Sequence, residues 1–420
     1  MSAHSSFQFH PLPAELLPGT GRCLMQTSAW HQGWLYLGVT GYPADAYQPG
    51  SAVLLRHRLR ASSWESLYAN PVESRWIIQA GQARRFPLEL GWQTLTVLPG
   101  ATQPTPALYA LRLGLRTSAL LHSRDGVHFE ALPNPAPDAG HGPFIALRGF
   151  SNQAFAIPAS AAHDTGREGP QIWVSADPLS QPWHPACEPG FGNAGNRTLD
   201  GLQVFNGQLY AAAGNSTNGF QLWKTAARSL LPLTWEPVLI EGTQRYTLNP
   251  HIETMTVFKD ALYLGVRSPS PDPNWEFATS GAEIIRVLPD GRWELVMGTP
   301  RFSPVGLQIP LSTHGPGFGD PHHRRIARLV GTPDALYAVI DQGEEPPQAD
   351  FTSTLESKRF QLWKTRDGED WQMIPLDAFG QPGVTCLRVL QPTPYGLVVA
   401  GDWDLSRHPE TQPGIWLEKR

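Results

Sequence analysis

Three charged residues stand at matching places in neighbouring apolar segments: Asp200, Glu253 and Arg325. Each lies four residues before the apolar pair that closes its segment, which is Val204-Phe205, Val257-Phe258 and Leu329-Val330 in turn. A carboxylate withdrawn from water can act as a general base, and an arginine beside it can orient or stabilise an anion. The spacing therefore predicts Asp200 or Glu253 as a catalytic base and Arg325 as its partner. The alternative is that the three side chains form structural ion pairs.

Basic side chains lie close to the same positions. His251 precedes Glu253 by two residues, and His323 and Arg324 directly precede Arg325. Guanidinium and imidazolium groups at the mouth of a cavity hold anions. We therefore predict four substrate-binding residues: His141, His251, His323 and Arg324. For the segment around His323, a solvated surface turn is the alternative interpretation.

A metal site on His141, His251 and His323 is a further alternative, since neutral imidazole is the commonest transition-metal ligand. Their spacing is not equivalent, because His141 lies two places further out in its segment. The chain contains no H-E-x-x-H, P-loop, G-x-S-x-G or EF-hand pattern. No cofactor is predicted.

An internal repeat must position these residues. The letters FQLWKT occur at Phe220–Thr225 and again at Phe360–Thr365, 140 positions apart. An apolar run, a turn signal and a second apolar run precede both copies, which is typical of a β-hairpin. A related unit, Met255–Gly298, lies between them, so the period is about 70 residues. Trp223 and Trp363 should then occupy equivalent, buried positions in the third strand of their units.

Extending the pattern outward gives seven units of four strands. The predicted fold class is all-β: one seven-bladed β-propeller domain over residues 1–420, with blades near 25–70, 94–135, 145–190, 200–243, 254–299, 326–378 and 384–420. The last unit stops after its third strand. Residues 1–13 should supply the fourth, with Phe7–His10 beside Ile415–Glu418, and so close the ring.

Long segments fall on one rim of such a ring, which predicts a functional cavity near its axis on that face. The long segments are Thr40–Ser51, Pro158–Pro170, Glu188–Arg197, Arg267–Gly281, Pro300–His323, Asp341–Arg359 and Asp402–Pro413.

Composition narrows the class of protein. The net charge of −5 argues against a nucleic-acid partner. The N-terminus has no secretory-signal pattern, and no apolar run reaches the roughly 20 residues of a membrane span. Three cysteines without C-x-x-C spacing indicate neither a disulfide framework nor a zinc site. A cytoplasmic protein is expected.

Two short segments carry a resemblance to known families. His122–Phe129 and Lys364–Trp371 resemble the Asp-box of sialidase-like and BNR-repeat propellers, although each is one residue shorter. The resemblance implies that Ser123 with Asp125, and Thr365 with Asp367, stabilise turns between strands. The sialidase arginine triad and tyrosine nucleophile have no counterparts here, so the resemblance implies no glycoside cleavage.

The whole repeat also resembles that of many bacterial propellers, and more weakly that of cyanobacterial propeller enzymes that alkylate resorcinol rings. The second likeness covers only the blades, without the extra N-terminal domain of those enzymes. The leading hypothesis is an enzyme or ligand-binding propeller with a small organic molecule in the axial cavity. Acid–base-assisted alkylation or other transferase-like bond formation is its most concrete version. The alternative is a non-catalytic propeller that binds a protein partner.

Overall fold

Antiparallel strands form nearly all the regular structure of the chain. The computed structural model describes residues 7–17, 21–42, 51–61, 63–69, 74–79, 82–87, 89–98, 106–114, 119–132, 144–158, 169–269, 281–343, 360–375, 379 and 383–418. His141 and the central parts of four predicted long segments (43–50, 159–168, 270–280 and 344–359) lie outside these residues. No helix among the described residues is long and apolar enough to cross a membrane.

The chain divides into two compact units. The first unit comprises Met1–Ala161, Val174–Trp183 and Asp377–Arg420, and the second comprises Ala162–Trp173 and His184–Leu376. All the predicted site residues in the described part of the chain belong to the second unit.

The strands of the first half of the chain are β1 (Phe7–Pro11), β2 (Arg22–His31), β3 (Trp34–Tyr42), β4 (Ser51–Arg58), β5 (Ser63–Ala69), β6 (Ser74–Gln79), β7 (Gln82–Pro87), β8 (Glu89–Leu98), β9 (Ala107–Gly114), β10 (Ala119–Ser123), β11 (Glu130–Ala131), β12 (Phe144–Phe150), β13 (Gln153–Pro158), β14 (Trp173–Ser175) and β15 (His184–Pro185). The remaining strands are β16 (Thr198–Phe205), β17 (Gln208–Gly214), β18 (Gln221–Thr225), β19 (Glu236–Leu239), β20 (His251–Phe258), β21 (Ala261–Arg267), β22 (Ile284–Val287), β23 (Trp293–Met297), β24 (Arg301–Ser303), β25 (Gly306–Gln308), β26 (Arg325–Gly331), β27 (Leu336–Asp341), β28 (Phe360–Thr365), β29 (Trp371–Ile374), β30 (Val384–Thr393), β31 (Gly396–Asp404) and β32 (Gly414–Glu418). The helical turns are Ala14–Leu16, Pro189–Gly192, Glu241–Gln244, Tyr246–Leu248 and Pro316–Gly319.

In the first unit, the N-terminal strand pairs with the C-terminal one. The strand order is β1-β32-β31-β2-β3-β4-β5, with β30 also beside β31, and a second sheet has the order β11-β10-β9-β8. The predicted pairing of β1 with β32 is confirmed, and its register runs from Phe7 opposite Glu418 to Pro11 opposite Gly414. Phe9 packs against Trp416 with 5.3 Å between ring centroids. Apolar contact therefore adds to the backbone hydrogen bonds that hold the two chain ends together.

In the second unit, two sheets repeat the same strand pattern. One has the order β16-β17-β18-β19, and the other β23-β22-β21-β26-β27-β28-β29 with β20 also beside β21. The second strand of each hairpin is almost wholly buried, as in β21, where only Arg267 keeps appreciable exposure. These buried apolar strands form the core that holds the strand ends in place.

The repeated FQLWKT letters have a structural explanation. Trp223 and Trp363 occupy equivalent places in β18 and β28, as predicted, but the predicted burial is wrong, since both side chains are half-buried. Their rings stack on Phe191 and Phe318 at centroid distances of 5.0 and 4.1 Å. Each indole N–H donates to the glutamine two residues earlier. The repeat thus preserves a half-exposed aromatic stack.

One extra residue interrupts the pairing of the first strand in each hairpin of the second unit. This β-bulge falls at Asp200 in β16, at Glu253 in β20 and at Ala327 in β26. Asp200 and Glu253 are therefore equivalent, as predicted. Arg325 is not their equivalent, because it lies two residues before its bulge, as His251 does.

Turn length explains the error in the alignment of Arg325. Val204 and Val257 pair with the first leucines of β17 and β21, but Gly331 is the residue that pairs with Leu336 in β27. The turn between β26 and β27 has four residues where the other turns have two. An alignment on the apolar pair therefore slips by two positions.

The predicted turn-stabilising hydrogen bonds are present. The Thr365 hydroxyl donates to Asp367 Oδ1 (2.9 Å) and accepts from the Gly368 N–H (3.0 Å). Two further backbone N–H groups, of Glu369 and Asp370, donate to the same carboxylate and hold its pKa down to about 2. Ser123 and Asp125 make the same arrangement in the first unit.

The Thr365 turn gives the first prediction. Gly368 has φ +94°, and a Cβ there would lie 2.0 Å from the Tyr263 hydroxyl oxygen. Gly291 has φ +88° with nothing within 4 Å of such a Cβ. Gly291→Ala should cost about 1–2 kcal/mol for its left-handed backbone alone, and Gly368→Ala a further 1–3 kcal/mol because of the clash. Urea denaturation of both variants measures the difference, and equal losses would contradict the close contact.

A buried histidine pair gives the second prediction. His57 stacks on Trp64, and its Nε2 lies 3.3 Å from His10 Nδ1 on β1. Burial lowers the pKa of both imidazoles, that of His57 to about 4. Folding therefore favours the neutral imidazoles. Their contribution to the free energy of unfolding is fully present above pH 6.5 and is lost as the pH falls towards 4.

Denaturant titrations between pH 7.5 and 4.5 measure this loss. His57→Gln should reduce the pH dependence, whereas replacement of the exposed His184 by Gln should leave it unchanged. Because burial also lowers the pKa of His31 and His122, part of the dependence should remain; an undiminished pH dependence in the His57 variant would exclude the pair as a cause.

Candidate anion-binding site

A small cavity lies in the second unit where β20, β21, β26 and β27 begin or end. Its volume is about 290 Å³. Its walls combine cationic, hydroxyl and amide side chains with two prolines: Ser216, Thr247, Pro250, His251, Arg267, Ser268, Pro269, Arg324, Gln342 and Gly343. Predicted residues His251 and Arg324 therefore share one cavity.

His251 is oriented by Asp200. The imidazole Nδ1 lies 3.2 Å from Asp200 Oδ2, and the Thr198 hydroxyl donates to Asp200 Oδ1 at 2.7 Å. Both side chains are mostly buried, with 16% of His251 and 12% of Asp200 exposed. A carboxylate at Nδ1 favours the tautomer that leaves Nε2 unprotonated. The pair can therefore work as a general base with a fixed ring orientation.

The strand ends explain how Arg267 reaches the cavity. Arg267 is the last residue of β21 and pairs across the sheet with His251, the first residue of β20. Its side chain is 42% exposed, and its Nε lies 3.5 Å from Glu253 Oε2. The bulge at Glu253 thus supplies a carboxylate that holds a guanidinium at the cavity wall.

Behind the cavity, Arg325 is bound by two carboxylates. Its Nε and one terminal nitrogen donate to the two oxygens of Asp341 at 2.9 and 2.7 Å. Its other terminal nitrogen lies 3.7 Å from Glu253 Oε1. Only 8% of Asp341 and 12% of Arg325 are exposed. This bidentate pair ties β26 to β27 and leaves Arg325 engaged on both sides.

The structure brings the three predicted catalytic residues only partly together. Glu253 and Arg325 are in contact, whereas Asp200 contacts His251 instead. None of the three is among the residues that line the cavity, but Asp200 contacts His251 and Glu253 contacts Arg267, which do line it. Their contacts match the structural ion pairs that the sequence left open as the alternative.

His323 lies in a different environment from His251. Its side chain is buried, with Nδ1 3.7 Å from Asp320 Oδ2, and it belongs to the turn that follows Pro316–Gly319. It occupies the position that Asn196 and Asn249 hold in the corresponding turns of the unit, two residues before the start of β26. The predicted grouping of His323 with His251 at one opening is therefore wrong. Its neighbour Arg324 does line the cavity.

Sequence reasoning missed Arg267 and Asp341. Both end the second strand of a hairpin, directly after the apolar runs ALYLGV and ALYAVI. The available signal was a charged residue at the end of a buried apolar run. Such a residue ends the second strand of its hairpin beside the start of the first strand, so its side chain lies at that end of the sheet. Among the described residues, no group of three His, Cys, Asp or Glu side chains could hold a metal ion.

No protein-family model matches the chain, and no curated protein matches it in sequence. Solved structures are similar in fold at very low identity. The chain is similar to polysaccharide lyase Uly1, at 8% identity and a TM-score of 0.51, over 94% of this chain and 89% of that one. At this identity the likeness shows the fold alone.

Two archaeal structures are less similar. The β-propeller domain of the Trilobed protease from Pyrococcus furiosus has a TM-score of 0.47 at 7% identity, over 95% of this chain and 96% of that one. Acylaminoacyl peptidase from Pyrococcus horikoshii also has a TM-score of 0.47, at 8% identity, over 95% of this chain. This chain spans about half of that peptidase, 52% of its length.

The ion pairs give the third prediction. Arg325→Ala leaves Asp341 buried without its bidentate partner and should cost about 3–5 kcal/mol of unfolding free energy. Arg267→Ala removes a longer and more exposed pair and should cost about 1 kcal/mol or less. Denaturant titration distinguishes the two. The double variant Arg325→Met/Asp341→Leu should recover most of the loss, and an Arg325→Ala cost below 1 kcal/mol would contradict the structural role.

Proposed function

We propose that the chain is a β-propeller that binds a small organic anion beside His251 and acts on it by acid–base chemistry. Asp200 positions the imidazole, Arg267 and Arg324 hold the anion, and Glu253 with Arg325 positions Arg267. The observation that carries the proposal is the Asp200–His251 pair at the wall of a cavity that two guanidinium groups also line.

Seven blades are part of this proposal. The sheet β16-β17-β18-β19 has the four antiparallel strands of one blade, as does β8–β11. Each eight-stranded sheet contains two such sets, joined through short pairings at Arg22–Asp404 and at Arg267–Arg325. Pairing of β1 with β32 supports closure of the ring by the N-terminal strand.

The chemistry requires one proton transfer. His251 Nε2 takes a proton from a C–H or O–H bond of the bound anion, and the electron pair of that bond stays on the ligand. Asp200 stabilises the imidazolium that forms, and the guanidinium groups stabilise the added negative charge. Return of the proton to the same or another atom completes the cycle.

The sequence also predicted alkylation chemistry and a cytoplasmic location. Alkylation of an aromatic ring needs an apolar binding surface, whereas the described lining of the cavity includes two arginines and His251 and no phenylalanine, tyrosine or tryptophan, so we favour proton transfer on a polar ligand over bond formation. All three cysteines are free, which agrees with a reducing, cytoplasmic location.

The alternative of a non-catalytic interaction propeller is favoured by a different feature. The β24–β25 hairpin exposes the apolar side chains of Phe302 (78%), Val305 (68%) and Leu307 (57%). Exposed apolar groups of this kind occur at protein–protein contacts. The cavity carries the first proposal because its groups have the mutual geometry that acid–base chemistry needs.

Binding and proton transfer can be tested separately, which gives the fourth prediction. Calorimetric titration with a panel of small carboxylates should detect binding that Arg267→Gln weakens at least ten-fold. Arg292→Gln is the matched control, since Arg292 is a surface arginine that pairs with Asp290 in a turn.

For a bound carboxylate, exchange of its acidic C–H for deuterium can be followed by NMR in D₂O. His251→Gln should slow this exchange by about 10²–10⁴-fold while binding persists, and Asp200→Asn should slow it less. Exchange at the wild-type rate in the His251 variant would exclude the catalytic role, and interaction through the hairpin would then be the better proposal.

A further inference from the structure

Resting on the proposed function, we infer that the ligand class is a small hydroxylated monocarboxylate, of the size and polarity of one sugar-acid residue. The roles of His251 and Arg267 alone do not require the ligand to carry hydroxyl groups or a single negative charge. The inference comes from the size, lining and charge balance of the cavity.

The cavity size limits the ligand to a small molecule. The cavity volume of about 290 Å³ is at the lower end of the range of roughly 300–1,000 Å³ that is typical of small-molecule pockets. One six-membered ring with its substituents fills such a space. A long alkyl chain or a polymer would have to extend beyond it.

The lining favours a ligand that carries hydroxyl groups. Ser216, Thr247 and Gln342 line the cavity, and within the described part of the chain their side chains make no hydrogen bond to protein groups. Among the described lining residues there is no phenylalanine, tyrosine or tryptophan. An apolar ligand would withdraw these polar groups from water without replacing their hydrogen bonds, which is unfavourable. A ligand with several hydroxyls would replace them.

The charges around the cavity favour one negative charge on the ligand. Among the described residues at and behind the cavity, three guanidinium groups, of Arg267, Arg324 and Arg325, are balanced by three carboxylates, of Asp200, Glu253 and Asp341. A single carboxylate would add one negative charge to this neutral set. A phosphate group carries about −1.5 to −2 at neutral pH and would exceed it. A carboxylate also matches the planar fork of Arg267.

Four probes test the inference by calorimetric titration of the full chain. D-glucuronate has the ring, the hydroxyls and the carboxylate; cyclohexanecarboxylate lacks the hydroxyls; D-glucose lacks the carboxylate; and inorganic phosphate has a larger charge. Glucuronate should bind at least ten-fold more tightly than each of the others. Gln342→Ala should reduce this preference, and Gln372→Ala, at an exposed glutamine on β29, should not.

The outcomes separate this inference from the proposed function. Equal or tighter binding of cyclohexanecarboxylate or phosphate would overturn the inference and leave the anion site intact. Tighter binding of glucose would show that hydroxyl recognition does not depend on the guanidinium groups, and would overturn the assignment of a carboxylate. Absence of binding for all four probes would overturn both.

Discussion

A β-bulge at one position of each first strand is the constraint on which the site depends. In β16 and β20 the extra residue is a carboxylate, Asp200 or Glu253, and in β26 it is Ala327. A bulged residue leaves the regular ladder, which re-aims its side chain. Because the bulge recurs, adjacent hairpins present side chains at the same level. The site therefore arises from a repeated backbone feature with different residues at each copy.

Charge balance then decides which groups can act. Glu253 and Asp341 are mostly buried, and buried carboxylates are tolerated only with hydrogen-bonded cationic partners. Arg325 hydrogen-bonds Asp341 and forms a longer ion pair with Glu253, so its charge is balanced within the protein. Arg267 has one long contact and substantial exposure. Within one network, Arg325 therefore has a structural role, whereas Arg267 is placed to contact a ligand.

The sequence was sufficient for the parts of the fold that depend on local pattern. The FQLWKT repeat, the hairpin before each copy and the pairing of the two chain ends follow from alternation and turn chemistry, and the structure has them. Arg325 could not be aligned correctly, because the length of the Thr332–Ala335 turn changes the register without changing the apolar pattern. The side-chain partners of Asp200 were also beyond reach, since they depend on which hairpins are neighbours.

Divergence between the repeats is as informative as their identity. Where two copies stack a phenylalanine on a tryptophan, the copy between them has Thr243 and Ile285 at the corresponding places. Arg301 there donates to the backbone oxygen of Thr243 and to the fully buried Glu283, which also contacts Arg245. A buried charge cluster replaces an aromatic stack, and the turn of that copy leads directly into Thr247, Pro250 and His251 on the cavity wall. A packed aromatic ring holds a turn through shape alone, whereas paired charges fix the direction of each group as well. The copy that contributes His251 and Arg267 is therefore the one in which ion pairs replace the aromatic stack at the turn.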